Sequence, residues 1–366
     1  MLRPQALLVF AIVFVVGVVC PLDARQRGRG GPPLPAPPID ARMPEAELAA
    51  ALDGYLAGLA RANDFAGVVL IAKDGRTVFE KAYGVADRER NTPMSADLRF
   101  NYASIGKAFT RAAVGQLIAA GKLKLTDTLG AILPDYPNAD AKPATVEQLL
   151  AFQVGIADFF GDAFAAADKS RFQSNRDFYA FVAPKPLAFL PGERTLYCNG
   201  CYIVLGEIIA KVAGMPYERY VEERVFKPAG MKTAGFLNAA DPNVAPGYTR
   251  ASLSSPWTSA ASNHPARGSA AGGSFGAVRD LLAFDTALRT HRFFDARTTA
   301  WFLRSEETAA APRALARYGI AGGAPGANTS LESGAGWTIV TLGNLDPPNA
   351  SRVGRALAAA LLGEGR

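Results

Sequence analysis

Two strand–turn–strand patterns lie near opposite ends of this 366-residue chain, and the patterns between them are mostly helical. The first spans 68–83 and turns at Asp74-Gly75, a dipeptide that favours a tight hairpin because both turn positions need a positive φ. The second flanks a glycine-rich turn within 327–342. The economical fold class is therefore α+β: an antiparallel sheet built from both chain ends and flanked by helices, with an inserted, mostly helical subdomain.

Apolar spacing and stop signals predict the helices, which fall over 44–62, 104–121, from 145 onward, 202–212, 217–226, 278–288 and 355–362. The small and polar residues of 238–269 predict long surface loops. We expect one domain over 44–366. About 44–100 and 265–366 should form its α/β part, and about 101–264 its helical part.

The first residues form a separate segment. Arg3 precedes an uninterrupted apolar run over 6–20, and Ala24 follows as a small residue at which a signal peptidase could cut. The run is short for a membrane span, so residues 1–24 are predicted to be a signal peptide and the protein to be exported, periplasmic or secreted; an uncleaved anchor is the alternative. Residues 25–43 are predicted to be a flexible linker rich in Pro, Gly and Arg.

The overall composition is that of a soluble globular protein, with 49% hydrophobic and 20% charged residues. The formal net charge of +6 is modest for this length, and the Lys and Arg residues are scattered along the chain. This distribution argues against a nucleic-acid partner.

Two cysteines remain once the signal peptide is removed, Cys198 and Cys201. A Cys-x-x-Cys pair can be a redox site, half of a zinc site or a local disulfide. Zinc is disfavoured because the chain has no second pair to complete four thiolate ligands, and no thioredoxin-like βαβ pattern surrounds the pair. The favoured interpretation is two ordinary small residues at a helix start, whose redox state the sequence leaves open.

Ser104 and Lys107 form the Ser-x-x-Lys pair of this chain. At the head of a helix, residues three apart lie on one face, so the amine of Lys107 could take or relay the hydroxyl proton of Ser104. The unpaired N–H groups of the first helical turn favour a developing oxyanion at the same place. An isolated Ser-x-x-Lys is far more often a capping serine followed by a solvated lysine, so the context of the pair must decide.

Further motifs supply that context. They follow one another over about 65–348 and include Phe100 to Thr110, Pro191-Gly192-Glu193, Tyr197-Cys198-Asn199, Gly272-Gly273 and Gly322 to Gly326. In this order the chain resembles the serine β-lactamase-related family, which comprises class C β-lactamases, D-specific peptidases and carboxylesterases of β-lactamase/transpeptidase-like fold.

The resemblance implies roles for five residues. Ser104 is expected to be the acylated nucleophile, Lys107 and Tyr197 to share the proton transfers, Asn199 to hydrogen-bond the substrate, and Gly323 to supply an oxyanion-hole N–H beside that of Ser104. A neighbouring cation favours the phenolate of a tyrosine, so Tyr197 could act as a base. Which of the two groups holds the proton stays open.

Other candidate groups are weaker. A second Tyr-x-Asn, at 136–138, lies in a proline-flanked stretch and is interpreted as a surface turn. His264 and His291 are the only histidines, and no third histidine or acidic cluster accompanies them. Neither a metal site nor a Ser-His-Asp triad is therefore expected.

Two positions depart from the family pattern. Ile320 stands where relatives usually carry Lys or His at the start of the third motif, and 152–155 stands where His-Thr-Ser-Gly is common. We expect Phe152 and Val154 to bury as apolar filler, with a cost in stability only. A charge-assisted hydrogen bond to a carboxylate contributes about 1.5–3 kcal/mol, so its loss at Ile320 argues against anionic substrates. The main-chain oxyanion donors are unaffected, and activity is expected to be redirected rather than abolished.

The predicted function is that of an exported serine hydrolase that needs no cofactor, forms an acyl-enzyme on Ser104 and acts on small ester, amide or peptide substrates. The alternative is a catalytically degenerate member that binds cell-wall peptides or a partner without turnover. The sequence leaves the natural substrate and the oligomeric state open.

Overall fold

The computed structural model describes residues 34–363 except 239, 242, 253 and 304–316. The predicted signal peptide, 1–24, and the first part of the predicted linker, 25–33, lie outside the described residues. The strands are β1 Gly67–Lys73, β2 Arg76–Tyr83, β3 Val85–Asp87, β4 Thr92–Pro93, β5 Phe100–Asn101, β6 Tyr248–Thr249, β7 Thr258–Ser259, β8 Phe275–Gly276, β9 Tyr318–Ala324, β10 Ala327–Gly334 and β11 Trp337–Gly343.

The α-helices are α1 Glu45–Arg61, α2 Gly106–Ala119, α3 Leu129–Ile132, α4 Val146–Leu150, α5 Asp162–Ala166, α6 Asn175–Val182, α7 Asn199–Ala213, α8 Tyr217–Val221, α9 Lys227–Ala229, α10 Val278–Arg289, α11 Ala296–Leu303 and α12 Asn349–Leu362. A π-helical turn, Glu222–Phe226, joins α8 to α9. Single 3₁₀ turns lie at Ala103–Ile105, Ala139–Ala141, Lys169–Arg171 and Ala261–Asn263.

Five strands form one antiparallel sheet in the order β2-β1-β11-β10-β9. β1 pairs with β11 along its length, so that Gly67 lies opposite Gly343. The two hairpin turns, Asp74-Gly75 and Ala335-Gly336, have a positive φ at both residues, which suits the right-handed twist of the flanking strands. The predicted fold class, with a sheet built from both chain ends, is confirmed.

The interior strand β1, which lies between β2 and β11, is buried on both faces. Because side chains alternate along a strand, Val69 and Ile71 enter a smaller core with α1 and α12, whereas Val68 and Leu70 enter the main core on the opposite face. Burial on both faces explains why this strand is apolar at almost every position.

Residues 34–43, the described part of the predicted linker, lie against the smaller core. Leu34, Ile39 and Met43 pack onto it, and the Tyr55 hydroxyl of α1 donates a hydrogen bond to the Pro35 carbonyl at 3.0 Å. This part is attached to the domain because three apolar side chains are spaced through its proline-rich sequence.

Helices α2 and α7 form the centre of the helical part and pack against each other. The ring of Phe109 on α2 contacts the rings of Phe226 and Phe284 edge to face, with 5.0 Å between centroids in both pairs. α7 is buried from Asn199 to Ile209. This packing brings the N-terminal ends of both helices toward one site.

The observed elements differ from the predicted ones in a few places. α12 begins at Asn349 rather than at 355. The predicted elements did not include α3, α5, α6, α9, α11, β9 or the short strands β3 to β8. The predicted loops of 238–269 contain only the short pair β6–β7 and one 3₁₀ turn among their described residues. Within the described part of the chain, no helix combines the length and the hydropathy that a membrane span requires.

Candidate active site

Ser104 lies in a tight 3₁₀ turn that leads directly from β5 into α2. Ala103 adopts a left-handed conformation with φ of 47°, and its N–H donates to Asn101 Oδ1 at 2.8 Å. A non-glycine residue in this region costs on the order of 1–3 kcal/mol and persists only where the surroundings hold it. The turn thereby fixes Ser104 at the helix start, where N–H groups lack helical partners.

Two glycines allow neighbouring backbone to approach this turn closely. A Cβ on Gly322 of β9 would lie 2.4 Å from the Tyr102 carbonyl oxygen and 2.9 Å from Ser104 N. A Cβ on Gly272 would lie 2.2 Å from the Ala103 carbonyl oxygen. Any larger residue at either position would push the strand or the loop away from Ser104.

Lys107 lies one turn after Ser104 on α2, and its residue surface is only 6% exposed. Its Nζ donates to Asn199 Oδ1 at 2.7 Å, to the Ala271 carbonyl at 2.6 Å and to Ser104 Oγ at 3.3 Å. Two of these acceptors are carbonyl oxygens, which cannot donate in return. The structure therefore holds Lys107 as a hydrogen-bond donor and directs one of its donors to Ser104.

Tyr197 lies just before α7, and its hydroxyl is 2.7 Å from Ser104 Oγ. The Lys107 Nζ lies 4.8 Å from the centroid of its ring. Phe152 packs against the same ring at 5.1 Å between centroids, and also against Tyr202 at 5.3 Å. Phe152 is therefore more than filler, because it supports the tyrosine that contacts Ser104.

Asn199 is the first residue of α7 and is 6% exposed. Its Oδ1 accepts from Lys107, and its Nδ2 donates to Asp158 Oδ2 at 2.8 Å. Since an amide nitrogen carries two hydrogens, one remains to be offered to a substrate. Asp158 could not be predicted from the sequence, because no motif or periodicity links this loop residue to α7.

Cys198 and Cys201 form a disulfide at the first turn of α7, with 2.08 Å between the sulfur atoms. Both residues are buried. Of the possibilities that the sequence left open, the structure has the local disulfide, which closes a short ring around Asn199.

Gly323 of β9 and Asn199 line the same cleft beside Ser104. Within the described sheet β9 is an edge strand, so its outer edge has no neighbouring strand. Ile320 lies two residues before Gly322 and so on the same side of β9, partly buried against the main core. This position contributes no cation to the site.

The cleft has an aromatic wall. That wall consists of Phe159, Phe160, Phe178 and Phe275, and His264 and Arg267 also line the cleft. Burial lowers the pKa of His264, whose ring donates a hydrogen bond to the Pro325 carbonyl. These residues could not be predicted from the sequence, because they come together only when separate loops fold over the site.

The remaining candidates lie elsewhere. The Tyr136 ring is buried against Tyr179 at 5.9 Å between centroids, and His291 Nδ1 lies 2.9 Å from Thr299 Oγ1. Among the described residues, no group of three or more His, Cys, Asp or Glu side chains could hold a metal ion.

The site thus joins a hydroxyl and a buried amine from one helical turn to a phenol from a distant part of the chain. The phenol lies within proton-transfer distance of the hydroxyl, and the amine lies beside both groups. Such an arrangement can deprotonate a serine and return the proton to a leaving group.

Comparison with known proteins adds independent information. A family model described as beta-lactamase matches residues 52–364. Penicillin-binding protein 4* of Bacillus subtilis is 30% identical over 182 residues, which cover 49% of this chain and 40% of that protein. Esterase EstB of Burkholderia gladioli is 29% identical over 217 residues, which cover 56% of this chain and 55% of that protein. The chain therefore spans about half of the length of these relatives, or less.

A solved structure supports the same fold. The penicillin-binding protein from Bacillus halodurans superposes with a TM-score of 0.72 at 24% identity, over 83% of this chain and 99% of that one.

Proposed function

Because the chain belongs to the beta-lactamase family, we propose that it is a serine hydrolase that forms an acyl-enzyme on Ser104 and cleaves small esters or amides. The observation that carries this proposal is the 2.7 Å contact between Ser104 Oγ and the Tyr197 hydroxyl, with Lys107 Nζ beside both. Similarity to an esterase over half of the chain supports the substrate class.

In the acylation step, Ser104 Oγ bonds to the carbonyl carbon of the substrate while its proton moves to the Tyr197 oxygen. The ammonium of Lys107 stabilises the phenolate that accepts this proton. When the tetrahedral intermediate collapses, the bond to the leaving alcohol or amine breaks. That group takes the proton from the Tyr197 hydroxyl, which restores the phenolate.

The negative charge of the intermediate is held by main-chain N–H groups. We assign this role to Ser104, at the start of the helix, and to Gly323, on the outer edge of β9. One such donor is worth about 3–4 kcal/mol in the transition state. Asn199 offers its remaining amide hydrogen to the substrate, since Lys107 and Asp158 fix its orientation.

In the deacylation step, a water molecule attacks the ester carbonyl of acylated Ser104. Tyr197 takes a proton from this water and then returns it to Oγ as the carboxylic acid leaves. One base thus serves both halves of the reaction, in agreement with its position next to Oγ.

We also propose that the protein is exported. The apolar run over 6–20 and Ala24 after it support a signal peptide and a periplasmic or secreted hydrolase. Ile320 favours a second candidate, a family member that binds cell-wall peptides or a partner without turnover, because a family cation is missing there.

An intact-mass measurement with a fluorophosphonate and a short p-nitrophenyl ester tests the proposal. Wild type should gain the mass of one phosphonate group and hydrolyse the ester, whereas Ser104→Ala should do neither. Equal labelling of both proteins would overturn the role of Ser104, and no adduct in either would favour the binding protein without turnover.

A further inference from the structure

The cleft beside Ser104 carries a single formal charge. Among the described residues that line it there is no Asp, Glu or Lys, and Arg267 is the only charged side chain. His264 is neutral near pH 7, because burial lowers its pKa. The cleft therefore presents a positive charge that no acidic group on its own wall offsets.

Arg267 is held by its backbone rather than by its side chain. Its N–H donates to the Phe172 carbonyl at 3.0 Å, and the N–H of Ala266 donates to the Lys169 carbonyl at 3.1 Å. The next residue, Gly268, lies so close to Gly273 that a Cβ there would be 2.4 Å from the Gly273 carbonyl carbon. The loop is thus packed against the segment that contacts Ser104.

The guanidinium of Arg267 is exposed and makes no hydrogen bond or ion pair with the described residues. Its planar N–H donors fit the two oxygens of a carboxylate. An exposed Arg loses little hydration when it binds, so the energy of the contact is modest but favourable. The guanidinium of Arg267 can therefore bind a ligand carboxylate without breaking any contact within the described structure.

The rest of the cleft suits an apolar group. Phe159 and Phe160 lie 4.2 Å apart between ring centroids, and Phe178 packs edge to face on Phe159 at 5.1 Å. Ligand sites commonly combine such an apolar wall with a few polar groups that fix orientation. An aromatic ring with a carboxylate a few bonds away would use both features.

Building on the proposed function, we propose that the hydrolase selects esters or amides that carry both an aromatic group and a carboxylate near the bond to be cleaved. Arg267 is the residue that binds the carboxylate. Relatives usually carry a Lys or His at the position of Ile320 on β9. Arg267 thereby supplies a cation from another wall of the cleft. This differs from the expectation based on Ile320 alone, which disfavoured anionic substrates.

The test measures binding rather than turnover, so it does not depend on whether the protein is a hydrolase. N-acetylphenylalanine and its uncharged amide are titrated calorimetrically into Ser104→Ala, which cannot consume them. The carboxylate should bind about five-fold more tightly than the amide, and the preference should weaken as salt is added. Arg267→Gln should abolish the preference, and Arg267→Lys should retain part of it.

Arg61→Gln is the matched control, because Arg61 is exposed on α1 and does not line the cleft. It should leave the preference unchanged. Equal binding of acid and amide to the Ser104→Ala protein would overturn the proposal, as would no binding of either at millimolar concentration. A preference that persists in Arg267→Gln would show that Arg267 is not the carboxylate-binding residue.

Discussion

Asp158 Oδ2 accepts a hydrogen bond from Asn199 Nδ2, and the other end of the same amide accepts from Lys107. The carboxylate therefore sets which end of the amide faces the ammonium, since only the amide oxygen can accept a hydrogen bond. Asp158 contacts Asn199 rather than Ser104. It is a positioning residue, which acts on the site through Asn199.

Asp158→Asn tests this relationship with little change in shape. The new amide can still accept the N–H of Phe160, which now donates to Asp158 Oδ1 at 3.0 Å, but it would set one NH₂ group against that of Asn199. We expect kcat for a p-nitrophenyl ester to fall about ten-fold, in line with the loss of a hydrogen bond to a charged group. Asp162→Asn, at the exposed start of α5, is the control. A kcat equal to that of wild type would contradict the role.

Tyr197→Phe should reduce kcat by about 10²- to 10⁴-fold, because it removes the proposed general base. The fold should be retained, since the ring can still pack on Phe152. Tyr202→Phe is a matched control: its ring also lies beside Lys107 and Phe152, but its hydroxyl contacts the Leu150 carbonyl at 3.4 Å. Comparable losses of kcat in the two variants would show that the Tyr197 hydroxyl is not the general base.

Gly322→Ala should lower kcat at least about ten-fold and lower the melting temperature, since overpacking costs about 1–3 kcal/mol. The added methyl group would displace β9 from Ser104 and Tyr102. Gly54→Ala should have the opposite effect, because no atom outside the local backbone of α1 lies within 4 Å of its Cβ position. It should raise the unfolding free energy by about 0.5–1 kcal/mol. Steady-state kinetics and thermal unfolding of both variants check the pair.

The free energy of unfolding is expected to depend on pH because of His264. Burial lowers its pKa below the ordinary 6.5, so between the two values the unfolded chain binds more protons than the folded one. Stability is then complete above about 6.5 and declines as the pH falls toward the folded-state pKa, by at most about 1.4 kcal/mol per pH unit. His264→Asn should flatten this decline in urea unfolding curves recorded from about pH 7.5 to about pH 5. Identical slopes would mean that His264 titrates normally.

The elements that the sequence predicted correctly carry their signal in neighbouring residues. Asp74-Gly75 specifies its own turn, and the apolar spacing of α1 is visible within a few helical turns. β9 is different, because five of its seven residues are Gly or Ala and give neither alternation nor β-branched side chains. That segment becomes a strand through pairing with β10.

The site shows the same division. That Ser104 and Lys107 lie side by side was predictable from their spacing, and the order of motifs made Tyr197 and Asn199 candidates for the same site. Asp158 was not, because its contact depends on how a loop folds over the start of α7. Phe152 was expected to be filler, and only the structure shows that its ring packs against Tyr197.

The pairing of Gly67 with Gly343 also bears on how the protein is made. During translation β1 emerges long before β11, so one edge of an apolar strand of seven residues stays open until synthesis is nearly complete. β9, whose Gly322 packs closely against Ser104, is also synthesised late. A fragment that stops short of Trp337 would keep that edge open and offer it to other chains, which makes premature termination a route to aggregation rather than to a smaller folded protein.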